Sequence, residues 1–149
     1  MEQEVGVVKY VAKFALAFLV ILLAVGVVLS LLDMNSNAGI TIAALMGAAV
    51  YAVSKFIEEN RRVPVGAEKT KLVWFSFVAA WLISLIPFGV FASFTAEGAE
   101  MLKTLRTASI PLLAGVIAFL SLFHLGTLWL SYGLLARKQF EALQKKGKI

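Results

Sequence analysis

The chain has 149 residues, of which 60% are hydrophobic and 15% charged. Soluble domains carry about 45–50% apolar and about 25% charged residues, so this composition, with a mean hydropathy of +0.88, excludes an ordinary soluble domain and a disordered chain alike. There is no cysteine and a single histidine, which removes disulfide scaffolds, cysteine nucleophiles, Cys-ligated metals and multi-His sites within one chain.

The apolar residues fall into four blocks: Phe14 to Leu32, Ala38 to Val53 (reaching Ile57 through Lys55), Leu72 to Phe94 and Ala108 to Ala136. A helix needs roughly 20 apolar residues to cross about 30 Å of hydrocarbon. Three blocks meet that length, and Lys55 can extend the second by running its alkyl stem along the apolar zone. None of the blocks shows the polar face of a soluble amphipathic helix. The expected fold is therefore all-α: one domain over 1–149, a bundle of four transmembrane helices at about 14–32, 38–57, 72–94 and 110–136. The first block exceeds the h-region of a signal peptide, and no Ala-x-Ala site precedes Asp33, so a retained first helix is expected.

The basic residues set the topology. Lys9 and Lys13 precede the first span. Lys55, Arg61, Arg62, Lys69 and Lys71 surround the middle connection, and Arg137, Lys138, Lys145, Lys146 and Lys148 follow the last. Those 12 lie on one side, against Lys103 and Arg106 on the other. The positive-inside rule then places both termini in the cytoplasm, with two hairpins turning on the periplasmic side. The net charge of +5 reads as orientation and attraction to anionic headgroups, not as a nucleic-acid signature.

In chain order, Asp33 to Asn37 is turn chemistry, with Asn35, Ser36 or Asn37 available as a helix cap. The second helix runs to about Asn60, and Val63-Pro64-Val65-Gly66 cannot continue it. Pro87 is expected to kink the third helix near Ser84 to Pro87, or to end it there. Glu97 to Arg106 reads as a short periplasmic surface helix. Pro111 suits a first helical turn, with Ser109 near the cap. Beyond Ala136, Phe140 and Leu143 beside Arg137 and Lys138 suggest a basic amphipathic tail on the inner leaflet, or a solvated stop-transfer tail. Tyr10, Trp74 and Tyr132 read as interface anchors, and Trp81 and Trp129 as deeper packing residues.

Three groups could carry function. On the second helix, Gly39, Ala43 and Gly47 form a small-residue row, with Ala44, Ala48 and Ala52 parallel to it; such rows let helices approach closely, within one chain or between copies. His124 lies near the middle of the fourth span with Ser121, Thr127 and Ser131 on the same broad face. It reads as a titrating or ligand-binding site, or as a neutral ring in structural hydrogen bonds. No acidic residue lies within a span, which counts against a proton-coupled transporter and against the small multidrug transporters, whose first helix carries a membrane-embedded Glu. The middle connection holds Arg61, Arg62, Pro64 and Glu68, a candidate interaction site that lacks a phosphate loop, metal spacing or nucleophile–base pair.

Four spans in this length, with Arg62-Val63-Pro64 and Glu68 in the middle connection, resemble a family of uncharacterised small four-helix inner-membrane proteins of Gram-negative bacteria. The resemblance implies an inner-membrane setting and no assigned activity. The functional expectation is a non-enzymatic protein that binds a membrane partner or a toxin, as an accessory or immunity-type subunit. The alternatives are a channel or transporter subunit with a polar path around His124, and a lipid-acting enzyme. Expected partners are membrane lipids and a membrane protein or a second copy of the chain, with no nucleic acid, cofactor or metal.

Overall fold

A computed structural model describes residues 6–32 and 38–147. Among these the chain is all-helical, and four helices are long and apolar enough to cross a membrane. The order is α1 (Val8–Leu31), α2 (Ala38–Asn60), α3 (Gly66–Phe94), α4 (Ala96–Thr107), α5 (Ile110–Leu130), a π-helical turn (Ser131–Leu135) and α6 (Ala136–Lys145). The expected turn and cap at Asp33 to Asn37 lie outside the described residues.

Helix α1 packs on α2 and α3, and α5 packs on the same two helices. Helices α2 and α3 thus take opposite corners of the bundle. Packing is uneven along its length. At the end where α1 and α3 begin and α2 and α5 finish, Tyr10, Phe14, Phe56, Leu72 and Tyr132 are fully buried. At the other end Leu31, Phe94 and Ile110 are largely exposed. These are called the closed and open ends below.

Local sequence explains the boundaries. Helix α2 stops at Asn60 because Arg61 adopts a left-handed backbone with φ of 52° and donates its N–H to Ile57 O at 2.8 Å, satisfying a terminal carbonyl. Buried Pro64 follows, and Gly66, also at φ 52°, supplies a conformation that costs a residue with a Cβ more. Helix α3 begins there, several residues before the apolar block, and continues through Pro87 to Phe94. The expectation that it could end near Pro87 is corrected: a lost backbone bond is tolerated in an apolar helix whose other bonds have no competing water. Helix α4 is capped by Thr95, whose hydroxyl accepts from Gly98 N at 3.0 Å. Glu97 lies in its first turn and Arg106 in its last, each complementing the helix dipole.

Two expectations change, and the small-residue rows of α2 are placed. Tyr10 and Tyr132 are fully buried and are not interface anchors; each finds a polar partner for its hydroxyl, which makes burial of the ring favourable. The tail does not leave the bundle. The π-helical turn keeps the chain helical, and α6 packs back on α2, with Gln139 hydrogen-bonded to Ser54 and Phe140 and Leu143 against the core. On α2 the buried row is Ala44, Ala48 and Ala52. Gly39, Ala43 and Gly47 lie on the adjoining exposed face, where a Cβ at Gly47 would meet only Ile21, at 3.6 Å.

Buried Ser76 and Tyr132 join α3 to the π-helical turn through a 2.8 Å hydroxyl–hydroxyl bond. Ser76→Ala leaves the Tyr132 hydroxyl without that partner inside the core and is expected to cost about 1–3 kcal/mol. Denaturant titration in micelles measures this; unchanged stability would contradict the role given to the pair.

Candidate functional site

Polar side chains at the closed end are tied together. Glu59 on α2 takes Lys9 at 2.6 Å and Lys13 at 2.5 Å, and accepts from the Tyr10 hydroxyl at 2.9 Å. Asn60 donates to the same Tyr10 oxygen at 2.7 Å. Three side chains of α1 thereby surround one carboxylate, and Asn60 at the end of α2 backs the Tyr10 hydroxyl. Glu59 is partly exposed, so its value is in fixing geometry more than in stability.

The second tie is Arg62 to Glu68, a bidentate pair with both N···O distances at 2.7 Å. Glu68 is buried, and the Arg62 guanidinium also lies over the Phe56 ring, 5.5 Å from its centroid. Planar guanidinium matches carboxylate geometry in this way. The structure therefore brings Arg62 and Glu68 together across the turn, with Pro64 buried between them and Arg61 pointing to the outside as an exposed residue. Arg62 and Glu68 engage each other, which closes the loop onto the bundle.

Three of the four residues of the His124 face bond to the backbone of their own continuous helix. His124 Nδ1 lies 2.8 Å from Leu120 O. A carbonyl only accepts, so this nitrogen carries a proton, which leaves Nε2 as the ring's one site for an acceptor lone pair. The Thr127 hydroxyl donates to Phe123 O at 2.9 Å, and that of Ser131 to Thr127 O at 2.8 Å. Ser121 is half-buried on the same helix. Back-bonding of this kind removes hydroxyls from any shared polar path.

His124 nevertheless lines a cleft. It opens between α2, α3 and α5 on the way to the open end, with a volume of about 410 Å³, and is lined among others by Thr41, Trp81, Ser84, Phe123 and His124. The Trp81 and His124 rings lie 6.1 Å apart. Trp81 ends an aromatic ladder on α3 that starts at Trp74 and passes through Phe77. Its indole N–H is buried without an acceptor, alone in this among the described side chains. An orphan donor in an apolar setting costs free energy, and only the geometry discloses it: at sequence level Trp81 is one more packing residue.

A separate groove lies between α3 and α5 towards the closed end, bounded by Lys69, Trp74, Trp129 and Arg137. Sequence reasoning did not bring Lys69 and Arg137 together. The available signal was the spacing Trp129, Gly133, Arg137, which puts an aromatic ring, a gap and a cation on one helical face.

No protein-family model, curated protein or solved structure matches this chain.

Glu68→Gln removes the charge that Arg62 faces. It is expected to destabilise the fold by on the order of 2 kcal/mol, because a partly buried guanidinium loses its counter-charge. Arg62→Met combined with Glu68→Gln should recover part of the loss. A double-mutant cycle read by denaturant titration checks both; additive losses would show that the two side chains act independently.

Proposed function

We propose that this is a non-enzymatic multi-pass protein of a bacterial inner membrane, with both termini in the cytoplasm, which receives a transmembrane segment of a partner protein in the cleft around Trp81 and His124. The partner is an accessory target or a membrane-inserting toxin. The orientation rests on the 12-to-2 division of basic residues. The docking role rests on one observation: the Trp81 N–H is buried beside an apolar cleft with no acceptor.

Orphan buried donors are rare and call for a partner group. A segment carrying a hydroxyl or amide at bilayer depth would accept from Trp81 and could donate to His124 Nε2, while its apolar surface filled the space against Ile42, Leu120 and Phe123. Interhelical hydrogen bonds and close apolar contact are what drive helix association in lipid. The alternative of a polar conduction path has less support, because the hydroxyls of Thr127 and Ser131 bond their own backbone. The enzyme reading has less support for a similar reason, Arg62 and Glu68 being engaged with each other.

A photoreactive residue at Leu120, used in intact membranes, tests the docking reading. The expected product is a protein adduct of one defined mass, reduced roughly 3- to 15-fold in yield by Trp81→Phe, in keeping with the strength of membrane hydrogen bonds. Adducts with lipid alone, or a yield unchanged by Trp81→Phe, would overturn it.

A further inference from the structure

The groove between α3 and α5 is separate from the cleft that carries the docking role. It encloses about 640 Å³ and runs from Leu122 to Arg137. That is roughly 22 Å of helix at 1.5 Å per residue, which equals one leaflet of a bilayer about 40–45 Å thick with its headgroups. Its deep part is apolar, lined by Leu122 and Leu125. Trp74 and Trp129 stand between this part and its mouth, and both are about half exposed along its walls. Two cations, Lys69 and Arg137, close the mouth.

Among the described residues these two cations have no acidic partner, and no carboxylate lies within ion-pair distance of either. The nearest candidates are accounted for. Glu68, beside Lys69 in sequence, is held by Arg62. Glu141, one turn beyond Arg137, is exposed and makes no ion pair with it. The Lys69 ammonium instead lies over the Trp129 ring, 4.0 Å from its centroid, a cation–π contact that holds the charge at the mouth. A Cβ on Gly133 would stand 2.9 Å from Lys69 Nζ. The ammonium seats against this side-chain-free position within the π-helical turn. π-Helical turns inside longer helices often accompany functional sites.

We propose that this groove binds one anionic phospholipid, with the phosphate between Lys69 and Arg137 and an acyl chain along Trp129 towards Leu122. Two like charges held together at the end of an apolar channel repel each other, and a phosphate relieves that repulsion while its chain fills the channel. A zwitterionic lipid brings its own cation to the same place and relieves it less. Basic pockets between membrane helices are suited to acidic headgroups on these grounds. The proposal does not require the Trp81 cleft to bind anything, since no residue lines both sites.

The test uses the full chain in phosphatidylcholine vesicles containing a few per cent of phosphatidylglycerol with brominated acyl chains, which quench tryptophan fluorescence on contact. Trp129 and Trp74 report on the groove. Saturable quenching is expected at mole fractions where brominated phosphatidylcholine quenches little. Lys69→Gln with Arg137→Gln should lower that preference roughly 10- to 30-fold, whereas Lys145→Gln with Lys146→Gln, which removes the same charge elsewhere, should leave it in place. Gly126→Leu offers a second route if the first variant folds poorly, because a Cβ at Gly126 meets nothing within 4 Å and a leucine there fills the groove; it should abolish the saturable component. Equal quenching by both brominated lipids, or a preference that survives the Lys69 and Arg137 changes, overturns the proposal. So does full reversal by inorganic phosphate, which would assign the two cations to a soluble anion.

Discussion

The whole arrangement depends on gathering polar side chains at one end of an apolar bundle and satisfying them there. Hydrocarbon offers no hydrogen bonds, so each buried donor or acceptor must find its partner inside the protein. Glu59 with its three donors, Arg62 with Glu68, and Ser76 with Tyr132 meet that demand within the closed end. The first and last link segments distant in sequence, and the second closes the turn between α2 and α3. Together they fix how α1, α2, α3 and the π-helical turn enter the membrane-spanning part.

Packing then follows from where these ties act. Near them, Ala48, Ala52, Phe14 and Phe56 are fully buried and the helices run close. Farther along no such ties exist among the described residues, and large side chains such as Leu23, Leu85 and Phe119 face outward. Helix association in lipid has no hydrophobic driving force of its own, since acyl chains are as apolar as leucine. A bundle tied at one end is therefore free to leave space at the other, and the Trp81 cleft lies in that space. A donor left unsatisfied at this depth stands out because the rest of the structure satisfies its polar groups so fully.

Much of this was legible in the sequence, and the residues show why. Four apolar blocks of sufficient length define four spans irrespective of packing, because the length of hydrocarbon is fixed. Glu97 to Arg106 reads as a short helix from local signals, and α4 spans it. What was not legible depended on meetings between distant segments. Tyr10 and Tyr132 read as anchors because an amphipathic ring favours an interface; only Glu59, Asn60 and Ser76 across the bundle make their burial favourable. Arg62 and Glu68 read as a charged surface until the turn at Arg61 and Gly66 folds one onto the other. On α2, two small-residue rows were visible, but the sequence does not say which one faces α1 and α5.

The π-helical turn connects the closed end of the bundle to the groove between α3 and α5. A regular α-helix from Ile110 to Lys145 would turn steadily by 100° per residue. One wide turn shifts the register of everything after it. Ahead of the shift, α5 places Trp129 on the groove; within it, Tyr132 points into the core against Ser76 while Gly133 gives way to Lys69. Beyond it, Arg137 returns to the groove and Gln139 and Phe140 turn to the other side, onto α2 and the core. This stretch of helix thus serves two sides at once. It completes the polar lock that holds the bundle shut, and it sets two cations, without an ion-pair partner among the described residues, at the mouth of an apolar channel.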